Sequence, residues 1–247
     1  MSGAVSSLWR HPIKSHGREA LAAVTLEAGK TMPGDRVWAV AHDASRADAS
    51  AWAPCTNFSI GSKAPGLMAI DARLDAAGGT VTLTHPDLPP LTFDPDREGA
   101  RLIAWTRPIM PPERAASARV VRVPGRGMTD TDYPSVSIGN RATHRAIEAR
   151  IGHALSEKRW RLNIWLDGLD PWEEFDWLGR EIGIGEVRLR VRERIRRCQA
   201  TTANPETGAR DADTLAALSG WGHQDMGVYA EVLRGGRLVL GDALEVD

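Results

Sequence analysis

The sequence predicts an α+β protein that is mainly β, with few helices and a barrel-like set of short strands. Three observations carry that prediction. Runs with period-two alternation recur along the chain, only two stretches have helical spacing, and strands do not alternate with helices as a doubly wound sheet requires. With 247 residues and 42% hydrophobic content, the chain can bury a sizeable core, as one large domain or two smaller ones.

Taken in order, "DRVWAVAHD" (35–43) has strand character, and a turn-rich stretch from Ala44 to Gly66 follows it. "GTVTLTHPDLPPLTF" (79–93) reads as two strands around a proline-containing turn, with Val81 and Leu83 on one face. "ARVVRVPGRG" (118–127) gives another short strand. Asn140 is placed to cap a helix whose apolar stripe is Ile147, Ile151 and Leu155 at i, i+4 and i+8. "RLNIWLDGL" (161–169) and "IGEVRLRVRERIRRC" (184–198) are both strand-like. A short helix is expected at 214–218 with Asp211 or Asp213 as its cap, then a closing hairpin over 227–246 that turns at Gly235–Gly236. The proline-rich "TRPIMPPERAAS" (106–117) is the most plausible boundary, dividing the chain into 1–112 and 113–247.

Several functions lose their usual signatures. "GKT" (29–31) lacks the first glycine of a phosphate-binding loop, since Val24 stands there, and "GIGEVR" (183–188) lacks the third glycine of a dinucleotide fingerprint. No GxSxG elbow and no HExxH pair occur. A net charge of −1 gives no reason to expect nucleic acid as a partner. No apolar run reaches the ~18 residues of a membrane helix, and the start lacks an apolar signal core, so a cytoplasmic protein without a membrane partner is expected. The two cysteines, Cys55 and Cys198, are too few for an iron–sulfur cluster held by this chain alone.

Cys198 nevertheless stands out. It ends a run in which Arg188, Arg190, Arg192, Arg194 and Arg196 occupy every second position, so a strand puts all five on one face and Leu189, Val191 and Ile195 on the other. Cys198 shares the parity of the arginines. Two readings fit equally: an exposed face made soluble by charge, or an electropositive surface that favours a thiolate and holds an anion.

The segment "RRCQATTANPETG" (196–208) resembles the cysteine motif of the MOSC family, the molybdenum cofactor sulfurase C-terminal domain, whose pattern is roughly R-C-x-x-T-T-x-x-P-x-T-G. Five further segments agree in order: "RHPIKS" (10–15), "GDRVWAV" (34–40), "YPSVSIGNRA" (133–142), "RLNIWLDGLDPWEEFDW" (161–177) and "GVYAEVLRGGRLVLGD" (227–242). Together they span both the MOSC N-terminal region and the MOSC domain, in a layout similar to the amidoxime-reducing branch of the family. The resemblance implies a MOSC-type β-barrel with a smaller β-rich N-terminal region.

It also implies a molybdenum cofactor (a pyranopterin, Mo-molybdopterin) lying between the two regions, with Cys198 as the metal's thiolate ligand and catalytic residue. Lys14, Ser15, Arg36, Arg161, Asn163 and Arg197 then correspond to cofactor-binding positions, and Asp132 and Tyr133 to contacts near the pterin. Departures are His11 before the proline, Arg196 two residues before the cysteine, "TDTDYP" (129–134) without a threonine–serine pair, and "WAPCTN" (52–57) without a clear arginine. The implied activity is reduction of N-hydroxylated small molecules of the amidoxime or hydroxylamine type. Electrons would come from a separate donor protein, a ferredoxin or flavoprotein reductase, with the arginine face as its docking surface. The alternatives are sulfur or cofactor carriage on a Cys198 persulfide, and a non-catalytic binding module.

Overall fold

The computed structural model describes residues 3–246, and within them the chain is mainly β with three α-helices. The strands of the first half are β1 (Ala4–Arg10), β2 (Glu19–Leu21), β3 (Ala23–Leu26), β4 (Trp38–His42), β5 (Asp71–Asp75), β6 (Thr80–His85), β7 (Leu88–Phe93) and β8 (Ser117–Arg122). Those of the second half are β9 (Val136–Asn140), β10 (Ile164–Asp167), β11 (Glu181–Ile184), β12 (Val187–Arg196), β13 (Asp225–Arg234), β14 (Gly236–Val239) and β15 (Leu244–Val246). The helices are α1 (Gly99–Thr106), α2 (Arg141–Ile151) and α3 (Thr214–Ser219).

An eight-stranded sheet in the order β15-β11-β12-β13-β9-β10-β1-β2 forms the main body. Strands from the first 21 residues thus complete a sheet built mostly from the second half. Among the described residues this sheet does not close into a barrel. The start of β1 does approach the segment before β15, through the Ala4–Ala243 bridge and backbone bonds such as Val5 N–H to the Asp242 carbonyl at 2.9 Å. No ladder forms between the two strands, because β2 takes the outer edge of β1 at Leu8–Arg10 and β15 is only three residues long. Alternating inward residues, such as Leu189 and Val191 on β12 and Val228 and Ala230 on β13, fill its core. A second core sits under the β5-β6-β7 meander, where Val81 and Leu83 point inward as their period-two spacing requires. Strands β4 and β8 pair beside it.

Local signals predicted several elements correctly. The Asn140 side chain accepts from the Ala142 backbone N–H at 2.8 Å and caps α2; Asp213 does the same for α3 through Ala216 at 2.9 Å. Two expectations need correction. The helix over the Ile147 stripe ends at Ile151, because Gly152 takes a left-handed φ of 93°; Leu155 lies beyond it, buried against the same cluster. The closing hairpin is absent as well. β13 already pairs with β12 on one edge and β9 on the other, so β14 has no free edge there and crosses to β3. Gly235 permits the crossing, since a Cβ at that position would lie 2.3 Å from the Leu26 carbonyl oxygen. No helix of the described residues is long and apolar enough to cross a membrane.

Candidate functional site

A cleft of about 230 Å³ opens where the main sheet meets the loops of the first half. One wall is the sheet: Ser137 on β9 and Tyr229 on β13 are cross-strand partners, and Arg197 and Cys198 follow the end of β12. The other wall is Lys14 and Ser15 after β1, Arg36 just before β4, and Cys55 from the 44–66 loop. Arg161, just before β10, closes the base.

The backbone at three of these positions is unusual. Ser15, Arg36 and Arg161 have φ of 63°, 51° and 54°, in the left-handed region that non-glycine residues seldom enter. Such residues cost roughly 1–3 kcal/mol each and persist only where their surroundings over-determine them. Here they do. The Arg36 N–H donates to the His11 carbonyl at 2.6 Å, and the Arg36 carbonyl accepts from Met128 at 2.7 Å. The His16 N–H donates to Ile13 across Ser15 at 3.0 Å, while Arg161 ends the 3₁₀ turn Glu157–Trp160.

The cations of the cleft are tied together rather than solvated. The Asp35 carboxylate accepts from the His11 backbone N–H at 2.7 Å and pairs with Arg36 Nη1. Arg36 Nη2 donates to the Arg161 carbonyl at 2.9 Å, and Lys14 Nζ donates to the Met128 carbonyl at 2.8 Å and pairs with Asp130. Burial opposes ionisation of Asp35, yet Arg36 and His11 outweigh it and hold the carboxyl well below its usual range. Asp130 is likewise held low, with Lys14 and Arg36 overcoming desolvation. Arg161 is the exception. Its Nη2 donates to the Gly17 carbonyl at 3.2 Å, but Nη1 is buried without a partner among the described residues. Burial, then repulsion from Arg36 and Arg18, pushes its pKa down to about 9. His11, which replaces an apolar residue of the motif, is buried neutral; burial and the neighbouring arginines lower it to about 3.

Cys198 is exposed on a fixed backbone. Its carbonyl accepts from the Thr201 N–H and from Thr201 Oγ1, both at 3.1 Å, which opens the 3₁₀ turn Gln199–Thr202. Thr201 Oγ1 is itself 2.6 Å from Thr214 Oγ1, and Arg159 Nη1 donates to the Thr201 carbonyl at 2.9 Å. The end of the motif is pinned too: Gly208 (φ 73°) lies so near Gly66 that a Cβ would come 2.7 Å from its Cα. The T-T-x-x-P-x-T-G residues are therefore scaffold, holding one thiol at the cleft.

The structure brings Lys14, Ser15, Arg36, Arg161, Arg197 and Cys198 to this cleft. Asn163 lies one layer behind, its Oδ1 accepting from the Ser137 hydroxyl at 2.8 Å and its Nδ2 donating to the Trp9 carbonyl at 3.2 Å. Arg197 points its guanidinium into the protein, to the carbonyls of Met226 and Trp160. Asp132 and Tyr133 do not line the cleft. The Asp132 carbonyl accepts from Arg126, and the Tyr133 hydroxyl donates to Glu193 at 2.7 Å under the Arg192 guanidinium. Asp130, Tyr229 and Cys55 line it instead; Tyr229 lies within the matching 227–242 segment, whereas Asp130 and Cys55 fall in the two stretches that depart from the family pattern. Partial desolvation, then the Asp130 charge, raises the Cys55 thiol pKa and keeps it protonated.

Among the described residues, no group of three or more His, Cys, Asp or Glu side chains is arranged to hold a metal. A metal at Cys198 must therefore bring its other ligands with it. A group carrying both sulfur donors and an anionic tail fits that requirement, since the cationic base of the cleft has one buried donor still free.

The MOSC N-terminal beta barrel domain matches residues 2–108, and the MOSC domain matches residues 129–245. The chain belongs to the MOSC family and carries both of its domains in order. No curated protein matches the chain. Among solved structures, YiiM from Geobacillus stearothermophilus is 20% identical with a TM-score of 0.37, over 45% of this chain and 53% of its own. The chain thus spans about half the length of YiiM. The YUAD protein from Bacillus subtilis is 12% identical with a TM-score of 0.45, over 100% of this chain and 96% of its own.

Proposed function

We propose that this chain binds a molybdenum cofactor and reduces N-hydroxylated small molecules, with Cys198 as the thiolate ligand of the metal. One observation carries the reading: an exposed cysteine on a rigid turn faces a cleft whose base holds an arginine cation with an Nη1 unpartnered among the described residues. When bound, the cofactor supplies the two-electron chemistry that cleaves an N–O bond, converting R–NH–OH, two electrons and two protons into R–NH₂ and water.

The protein's own part is to bind, orient and exclude water. Arg161, Arg36 and Lys14 would hold the anionic tail, Ser15 would offer its hydroxyl to a polar pterin edge, and Ser137, whose proton goes to Asn163, would offer only an acceptor. Asn163 acts through Ser137 as a positioning residue. Tyr229 keeps its proton, because burial and then Asp130 raise its pKa, so it stays a hydrogen-bond donor at the cleft. Electrons come from a separate ferredoxin or flavoprotein reductase in the cytoplasm. In this reading the chain divides at 112/113, and the open sheet is the family's barrel in a form that strand pairing leaves unclosed.

Protein made in a host that synthesises the cofactor is expected to carry molybdenum and pterin. Cys198→Ser should lose the metal while melting at the midpoint of cofactor-free wild type. Well-folded wild-type protein with neither molybdenum nor pterin would refute the proposal. A second reading, sulfur carriage, draws support from the Cys55 thiol in the same cleft. A Cys198 persulfide found by mass spectrometry, with no turnover of N-hydroxylated compounds, would replace the first reading with this one.

A further inference from the structure

A second cavity of about 340 Å³ lies beside the cleft and shares Cys55 and Ile60 with it. Its chemistry is different. Phe58, Ala64, Met110 and Ala115 line its body, while Lys63, Arg114 and Glu113 bring two cations and one anion to its lining. The cleft next door is dominated by Lys14, Arg36 and Arg161. The two chambers come from different parts of the chain: the second is built from the 55–64 segment and the proline-rich connection around 110–115.

Size and lining decide what such a chamber holds. An apolar cavity of about 150 Å³ already accepts a benzene ring, so this one has room for a larger apolar body. Pockets of 300–1,000 Å³ with mainly apolar walls are typical of small-molecule sites. Cys55 stands on the shared wall and presents a small, polarisable sulfur suited to the edge of an aromatic ring.

We infer that this chamber is the specificity pocket of the reaction proposed above, and that it takes the apolar body of an amphipathic substrate. The inference rests on that reading. The N-hydroxylated head enters the cationic cleft toward Cys198, and an aryl or branched-alkyl body passes Cys55 and Ile60 into the second chamber. The substrate class is thus one-headed and apolar-bodied rather than small and polar throughout. Cys55 and Ile60 are its specificity-determining residues, at the junction of the two chambers.

The test uses two neutral amidoximes that share one head, a phenyl-bearing compound and its methyl analogue, with dissociation constants measured by calorimetry on the full chain. The phenyl compound is expected to bind about tenfold more tightly, the effect of burying most of one ring. Ala115→Trp, an exposed alanine replaced so as to fill the chamber, should reduce that preference to about twofold or less. Met110→Ser, which removes apolar wall without filling space, should weaken it in the same direction. Equal binding of both compounds by the wild type overturns the inference, and so does a preference that survives Ala115→Trp. Because binding is read without turnover, protein lacking molybdenum would sink the proposed function and leave this comparison intact.

Discussion

Along β12, Arg188 meets Glu245 at 3.1 Å and Arg190 meets Glu181 at 2.5 Å, and Arg192 pairs with Glu231, whereas at the base of the cleft Arg161 keeps one nitrogen without a partner. Both regions are rich in arginine, and both drew attention to Cys198. On the strand the carboxylates come from the adjacent β11 and β13 and, one strand further out, from β15, and Arg194 covers the Phe175 ring at 4.2 Å. Three of the five arginines on that face are thus paired with carboxylates, and the face is open to solvent. In the cleft the cations are desolvated, held by carbonyls, and mounted on left-handed backbone. Arginine count therefore says little; the partner of each guanidinium says what it does.

Removing Arg161 tests this contrast where it is sharpest. Arg161→Gly is expected to lower cofactor retention by about tenfold or more, the loss of a charge-assisted bond to a buried anion. The cofactor-free protein should instead gain stability, by about 1 kcal/mol, because glycine accepts φ 54° without strain and an uncompensated buried cation disappears. Molybdenum content and a thermal melt read the two effects separately. A variant that loses both together would show Arg161 to be structural.

The second contrast is in pH dependence. His11 and His16 are buried neutral near the cleft, lowered to about 3 and about 4, first by burial. A base whose pKa is lower in the folded chain contributes fully above its unfolded value of 6.5 and loses that contribution as pH falls toward the folded value. Stability linked to these residues should therefore decline below about pH 6.5. Relative to wild type, His11→Gln is expected to lose about 1.4 kcal/mol per pH unit of that slope between about pH 4 and 6. Denaturant melts across that range check it; parallel profiles for the two proteins would contradict it.

The smallest effect belongs to the ladder. Arg190→Ala should change stability by only about 0.5 kcal/mol or less, as expected for a solvated pair, and leave cofactor content unchanged. A loss of cofactor in that variant would erase the distinction between the two regions.

Much of the cleft was readable before the fold was known. The period-two spacing put the arginines on the solvent side of β12, with Cys198 just past its end, and the motif resemblance picked Lys14, Ser15, Arg36 and Arg161, which do converge. Asp132 and Tyr133 were placed by alignment to a segment that departs from the pattern, and the chain there turns outward, so Asp130 reaches the cleft in their place. Cys55 carried no local signal at all. It lies in a turn-rich stretch whose path is set by what it packs against, not by its own propensities.

Strand faces, the Asn140 cap, the exposed thiol and the polar residues offered to a ligand were all legible in the chain, because near neighbours dictate them. Short-range periodicity and capping depend on spacings of two to four residues, and any stretch of sequence carries those spacings. Which sheet edges stay free, and which distant loops meet, depends on residues far apart in the chain, so tertiary packing alone settled them. That is why β14 crosses to β3, why the sheet stays open, and why a second thiol and an apolar chamber stand beside Cys198.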